Sequence, residues 1–308
     1  MLVKIEQIRL QDDNDQVTLT TYVLEDSAEM LGGARRPAVL ILPGGGYIFC
    51  SDREAEPVAM AFATAGYHAF VLRYSVYGLS DQMTNLEPRA HSPHPRPLID
   101  VALAMREIND RAEEWGVDTE RIAVAGFSAG GHNAAMYGAY WDKPLVTDVI
   151  GEPLRPAALI LGYAISDFTD LVERLSTRSE FEIALYSSVL VAFFGSTTPS
   201  DDELKAASPA PLADGSFPPS FIWATGADMV VPPQQSLIMA QRLADLGVPN
   251  EVHLFEEGRH GLSLATQATA SGQGEIEPRV ATWFEQCTTW LAKRFALPVP
   301  ERSRWERA

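Results

Sequence analysis

One serine lies between two glycines in the sequence Gly-Phe-Ser-Ala-Gly, residues 126–130. The short apolar run 121–126 ends two residues before the serine, and the residues after the serine are predicted to form a helix. Glycines two positions to either side leave room for a tight strand-to-helix turn that exposes the hydroxyl. The beginning of the helix adds free N–H groups and a partial positive charge. This pattern predicts that Ser128 is a nucleophile.

A serine nucleophile needs a base, and the base needs an acid that orients it. Among the six histidines, His260 is the candidate base because it follows the last predicted strand, 251–255, between two glycines. Asp228 comes just after the predicted strand 221–226, where its carboxylate can reach the far nitrogen of the imidazole. Asp167 is the weaker candidate for the acid.

The other histidines are interpreted as structural. His68 and His253 fall within predicted strands, and His132 follows the serine too closely to face it. His91 and His94 have an H-x-x-H spacing, but no third ligand lies nearby in the sequence, so no metal is expected.

Three consecutive glycines, 44–46, directly follow the apolar run 38–43. Their backbone N–H groups can approach a ligand closely, as an oxyanion hole requires. A phosphate-binding loop is not expected because its lysine is missing, and no other cofactor is predicted. The expected oxyanion donors are the N–H groups of Gly44, Gly45 and Ala129, with Gly46 as an alternative.

Predicted strands and helices alternate along the chain, which is typical of a mostly parallel sheet covered by helices on both faces. Two N-terminal strands around an Asp-rich turn are expected to add an antiparallel hairpin at one edge. The eight predicted strands are 2–10, 17–23, 38–43, 68–74, 121–126, 157–163, 221–226 and 251–255. The predicted helices are 55–65, 98–115, 131–140, 234–246 and 279–295.

Residues 167–210 contain no clear strand and have the spacing of two amphipathic helices. Since they fall between two sheet strands, they are predicted to form a small lid over the strand ends rather than an ordinary crossover. No linker divides the chain, so residues 1–308 are expected to form a single domain.

The composition excludes several partners. Asp and Glu number 41 against 24 Lys and Arg, a net charge of −17 that disfavours nucleic acid and anionic membranes. The N-terminal residues lack the apolar core of a signal peptide, and no apolar run is long enough to span a membrane. With only two cysteines, a cytoplasmic protein with free thiols is expected. A homo-oligomer is compatible with the sequence.

Five motifs occur in the order of a known family: PGGGY at 43–47, RYSV at 73–76, GFSAGGH at 126–132, GADMVVP at 226–232 and EEGRHGLSL at 256–264. With them the chain resembles α/β-hydrolase-fold serine esterases related to hormone-sensitive lipase and small bacterial acetyl esterases, including acetyl xylan esterases. Pro43 replaces the histidine that commonly precedes the glycines, as in carbohydrate-acetyl-esterase-like proteins. The change removes one support of the glycine loop.

The resemblance implies hydrolysis of a small-molecule ester through an acyl-enzyme, with Ser128, Asp228 and His260 as the catalytic residues. Tyr47, next to the glycine loop, is predicted to contact substrate and to favour a short acyl group such as acetyl. Sugar or xylo-oligosaccharide esters are the preferred leaving side. The alternatives are an arylformamidase-like or peptidase-like amide hydrolase and a non-catalytic binding protein of the same fold.

Overall fold

A single sheet with helices runs through the computed structural model, which describes residues 2–11, 14–27, 30, 33–78, 83–89, 93–175, 179–296, 301–302 and 304–306. Within these residues the strands are β1 (Val3–Lys4), β2 (Gln7–Arg9), β3 (Thr18–Leu24), β4 (Arg36–Leu42), β5 (His68–Arg73), β6 (Val117–Phe127), β7 (Ala158–Gly162), β8 (Ser220–Thr225) and β9 (Asn250–Phe255). The α-helices are α1 (Glu56–Thr64), α2 (Arg96–Asp110), α3 (Ala112–Trp115), α4 (Ala129–Tyr140), α5 (Pro144–Ile150), α6 (Phe168–Arg174), α7 (Glu180–Phe194), α8 (Asp201–Ala206), α9 (Pro209–Leu212), α10 (Gln234–Asp245), α11 (Pro278–Ala281) and α12 (Trp283–Ala292).

The strand order is β1-β3-β5-β4-β6-β7-β8-β9, and β2 also pairs with β3. Strands β1, β2 and β5 run antiparallel to β3, whereas β5, β4, β6, β7, β8 and β9 are mutually parallel. The predicted hairpin and parallel sheet are present. The described sheet has nine strands rather than eight because the predicted strand 2–10 is divided into two short strands, both paired with β3.

The sheet buries apolar side chains on both faces. Along β4, Leu40 and Leu42 enter one buried cluster, and Val39 and Ile41 enter the other. The alternation follows from the two-residue period of a strand. Buried residues of α2, α4 and α10 belong to the first cluster, and those of α1 and α12 to the second.

Several helices differ from the sequence prediction. The predicted helix 98–115 is divided at Arg111 into α2 and α3, and the predicted helix 279–295 is divided into α11 and α12. In the described part of residues 167–210, the three helices α6, α7 and α8 lie within the range and α9 begins at Pro209, whereas two helices were predicted. No helix in the described ranges combines the length and the apolar character needed to cross a membrane.

Candidate active site

Ser128 occupies a strained turn between β6 and α4, with φ 52° and ψ −119°. A Cβ at Gly126 would lie 2.2 Å from the carbonyl oxygen of Gly130, and one at Gly130 would lie 2.1 Å from that of Leu42. Side chains at these positions would collide with the backbone, so the turn needs both glycines. Helix α4 begins at Ala129, two residues earlier than predicted, which places its free first N–H group beside the serine hydroxyl.

A continuous chain of hydrogen bonds joins the serine, the histidine and the aspartate. The Nε2 atom of His260 is 2.8 Å from Oγ of Ser128, and its Nδ1 atom is 2.7 Å from Oδ2 of Asp228. The structure thus brings together three residues that are far apart in the sequence. In this arrangement the imidazole can take the hydroxyl proton while the carboxylate fixes its tautomer.

The backbone around Asp228 fixes its carboxylate. Its Oδ1 atom accepts hydrogen bonds from the N–H groups of Val230 at 2.8 Å and Val231 at 2.9 Å, which leaves Oδ2 for His260. Asp167, the other candidate acid, does not reach the histidine. Its Oδ1 atom instead caps α6 by accepting from the first-turn N–H groups.

The glycine loop differs from the sequence prediction at one donor. The N–H group of Gly44 donates to Oε2 of Glu54 at 2.8 Å, so it is not available for an oxyanion. Among the hydrogen bonds of the described residues, none uses the N–H groups of Gly45 or Gly46. Both glycines line the same cavity as Ser128 and Ala129. The geometry therefore favours Gly45, Gly46 and Ala129 as the donors.

The site opens into a cavity of about 230 Å³. Leu185, Tyr186 and Val189 of α7 form part of its wall, so the segment between β7 and β8 contributes to the cavity that contains Ser128. The remaining apolar lining residues are Phe49, Met83, Ile165, Val230 and Val231.

Tyr47 does not occupy the position predicted for it. Its side chain is 1% exposed and lies outside the set of residues that line the cavity. Its hydroxyl is 2.6 Å from Nδ1 of His132, and its ring packs on Phe193 of α7 at 4.6 Å between centroids. The aromatic residue beside the glycine loop therefore joins that loop to α4 and α7 instead of contacting substrate.

The remaining described histidines have structural partners. Burial lowers the pKa of His132 to about 3, and its Nε2–H donates to the carbonyl of Ala207 at 2.7 Å. Nδ1 of His68 accepts a hydrogen bond from the N–H of Leu24. Both residues line a second cavity, which lies at the opposite end of the strands from Ser128. The ring of His94 packs against that of Phe193 at 4.8 Å between centroids, and His91 lies outside the described residues. No metal-binding group of His, Cys, Asp or Glu occurs in the described part of the chain.

Two residues of the site were missed by the sequence analysis. Glu54 lines the cavity, and its Oε1 atom accepts from the hydroxyl of Tyr163 at 2.6 Å. The Tyr163 ring packs against the His260 ring at 5.0 Å between centroids. No motif distinguishes Glu54 from Glu56 in the segment SDREAEP, because only the fold shows which of them turns inward.

Activity is expected to fall in acid with a midpoint above 6.5. Burial lowers the pKa of His260, but the charge and hydrogen bond of Asp228, together with the charge of Glu54, raise it above the ordinary 6.5. The base must be neutral, so kcat/KM rises as pH increases through this raised pKa. A pH-stat assay of an acetyl ester measures the profile independently of a chromophore. A midpoint well below 6.5 would contradict the prediction.

The sheet topology and the site define an α/β hydrolase, and comparison with known proteins identifies its class as the carboxylesterases, which act on esters. The chain belongs to the BD-FAE family, whose model matches residues 29–243.

Three similar proteins show how far the similarity extends. The chain is 30% identical over 243 residues to endo-1,4-beta-xylanase B of Butyrivibrio fibrisolvens. The aligned region covers 77% of this chain but only 34% of the xylanase. It is 28% identical to the structure of carboxylesterase Cest-2923 from Lactobacillus plantarum, with a TM-score of 0.77 over 97% of this chain and 100% of that one. It is also 28% identical to the structure of an acetyl ester-xyloside bifunctional hydrolase from Caldicellulosiruptor lactoaceticus. The TM-score is 0.72, and the superposition covers 94% of this chain and 96% of that one. The predicted fold and esterase class are confirmed.

Proposed function

We propose that the protein is a serine esterase that removes acetyl and other short acyl groups from small molecules, with acetylated sugars or xylo-oligosaccharides as its substrate class. The observation that carries the proposal is the hydrogen-bonded chain Ser128–His260–Asp228 at the wall of a cavity with free backbone N–H groups. The sugar preference is supported by the similarity of this chain to the acetyl ester-xyloside bifunctional hydrolase.

In the proposed reaction, Oγ of Ser128 attacks the ester carbonyl while Nε2 of His260 takes its proton. The N–H groups of Gly45, Gly46 and Ala129 bind the oxyanion of the tetrahedral intermediate. His260 then protonates the leaving alcohol, and an acyl-enzyme remains. Water, deprotonated by the same imidazole, releases the acid. Asp228 stabilises the imidazolium through the hydrogen bond between Nδ1 and Oδ2.

We further propose that residues 1–308 form one domain, with 167–210 as a lid whose helix α7 limits the acyl group. The protein is proposed to act in the cytoplasm, without nucleic acid or membrane partners, and as a monomer or homo-oligomer. The net charge of −17 supports solubility and disfavours nucleic acid.

The rate is expected to fall as the acyl chain lengthens from acetyl to octanoyl. Forcing additional methylenes into a packed wall costs about 1–3 kcal/mol, roughly 5- to 150-fold in kcat/KM. The measurement is kcat/KM for p-nitrophenyl acetate, butyrate and octanoate. Equal values across the series would exclude the short-acyl preference.

A second panel tests the leaving group and the amide alternative. Acetylated xylo-oligosaccharides, acetylated glucose and N-formylkynurenine are compared at equal enzyme concentration. We expect release of acetate from the sugars and no comparable release of formate. A higher kcat/KM for N-formylkynurenine would identify an amide hydrolase instead.

A further inference from the structure

A buried carboxylate that the reaction above does not use lies at the glycine loop. Glu54 is 4% exposed and ends a short 3-10 helix, Asp52–Glu54, which follows the loop in the chain. It lines the cavity together with Ser128 and His260. A buried charge costs free energy unless it is hydrogen-bonded or paired, so its contacts indicate what it does there.

Two hydrogen bonds connect Glu54 to separate parts of the site. One carboxylate oxygen accepts from the N–H of Gly44 at 2.8 Å, and the other accepts from the hydroxyl of Tyr163 at 2.6 Å. The hydroxyl oxygen of Tyr163 in turn accepts from the N–H of Ser263, in the loop that carries His260, at 3.0 Å. One carboxylate therefore links the glycine loop, the end of β7 and the histidine loop.

The described partners of this carboxylate are hydrogen-bond donors. Within the described residues, no Lys or Arg forms an ion pair with Glu54, and the adjacent Arg53 instead pairs with Glu275 at 3.1 Å. Burial, followed by the charge of Glu54, raises the pKa of Tyr163 well above 10.0, so the tyrosine remains a donor. Among the described residues, Glu54 is therefore held by the donors Gly44 N–H and Tyr163 O–H.

His260 lines the same cavity as Glu54. The charges that influence the imidazole are the carboxylates of Asp228 and Glu54, which favour the imidazolium, and Arg259, which opposes it. Of the described residues, Ser128 is hydrogen-bonded to the ring and Tyr163 packs against it. The imidazolium forms in the transition state, where a second carboxylate across the site lowers its energy.

We propose that Glu54 is a positioning residue of the esterase site: it anchors the glycine loop through Gly44, which leaves the next two N–H groups to the oxyanion, and its charge stabilises the His260 imidazolium. The inference rests on the proposed function. Gly44 is thus a structural part of the oxyanion loop rather than one of its donors.

Three variants separate the two roles. Glu54→Gln keeps the shape and an acceptor for Gly44 but removes the charge. Glu54→Asp keeps the charge but is one methylene too short to span both partners. Glu56→Gln is the matched control, because it removes the same charge two residues further on, where the carboxylate pairs with Arg73. The readouts are the pH profile of kcat/KM, the separate kcat and KM values for p-nitrophenyl acetate, and thermal unfolding.

For Glu54→Gln we expect kcat to fall about 10-fold and the acidic midpoint to move to lower pH, because removing a negative charge lowers the pKa of the histidine. Glu54→Asp should lose about 10- to 100-fold in kcat, less than the roughly 100- to 1000-fold cost of removing one oxyanion donor, because the donors are displaced rather than removed. Its midpoint should lie nearer that of the wild type. Neither effect is expected in Glu56→Gln.

The proposal is overturned if folded Glu54→Gln has the wild-type midpoint and a kcat within twofold of the wild type. If that variant does not fold, Glu54→Asp decides, and wild-type kcat there overturns the anchoring role. A fluorophosphonate that labels Ser128 distinguishes the two levels of failure. An unlabelled, inactive wild type overturns the esterase and Glu54 together, whereas an active wild type with unaffected variants overturns Glu54 alone.

Discussion

Replacing Ser128 by alanine is expected to lower kcat for p-nitrophenyl acetate by about 10⁴- to 10⁶-fold. The hydroxyl 2.8 Å from Nε2 of His260 is the group proposed to attack the carbonyl, and alanine has no atom in its place. The backbone at this position has φ 52°, a conformation equally unfavourable for serine and alanine, so the turn is expected to persist. Circular dichroism and thermal unfolding check that it does.

Ser216→Ala is a suitable control for that loss. Ser216 hydroxyl donates to Asp214 in an exposed turn away from the cavity, so the substitution should leave turnover unchanged. A fluorophosphonate should label the wild type and Ser216→Ala but not Ser128→Ala. Wild-type turnover in Ser128→Ala would show that another nucleophile is used.

The positions of the three reacting side chains were accessible from the sequence because parallel strands align their carboxyl ends. Ser128, Asp228 and His260 each follow a strand whose apolar run is recognisable, and β6, β8 and β9 lie in one parallel set. Such strands bring distant residues to one edge of the sheet whatever the exact helix boundaries are.

The contacts of the glycine loop were not accessible in the same way. A run of glycines shows that the backbone can approach a ligand, but not which N–H groups are already used. Gly44 is occupied by Glu54 only because a short 3-10 helix turns that carboxylate inward. The prediction that Tyr47 contacts substrate was wrong for a related reason. Its buried partner, His132, is brought to it by the packing of α4 against the loop, which the sequence does not show.

The boundaries of the elements were limited by local sequence signals. Helix α7 has a capping box between Ser179 and Glu182 and ends at Gly195 with φ 76°, features that can be recognised from residue types. The division of the helix at Arg111 has no glycine or proline to mark it, and the division of the first strand depends on pairing with β3.

Asp228→Asn is expected to lower kcat by about 10⁴-fold while leaving the fold intact. The two backbone N–H groups of Val230 and Val231 that now bind Oδ1 require an acceptor, so they will hold the amide oxygen of the asparagine. The amide nitrogen then faces Nδ1 of His260 and donates to it. The proton of the neutral imidazole is then on Nε2, so this nitrogen can no longer accept the proton of Ser128.

Asp167→Asn is the matched control because it makes the same substitution in the other candidate acid. Asparagine caps a helix about as well as aspartate, so α6 should persist and kcat should remain near that of the wild type. A second readout is the acidic midpoint of kcat/KM, which should fall in Asp228→Asn because the imidazolium loses its partner at 2.7 Å. If Asp228→Asn keeps wild-type kcat while Asp167→Asn loses it, the orienting acid is Asp167, and the loop after β8 does not serve the histidine during turnover.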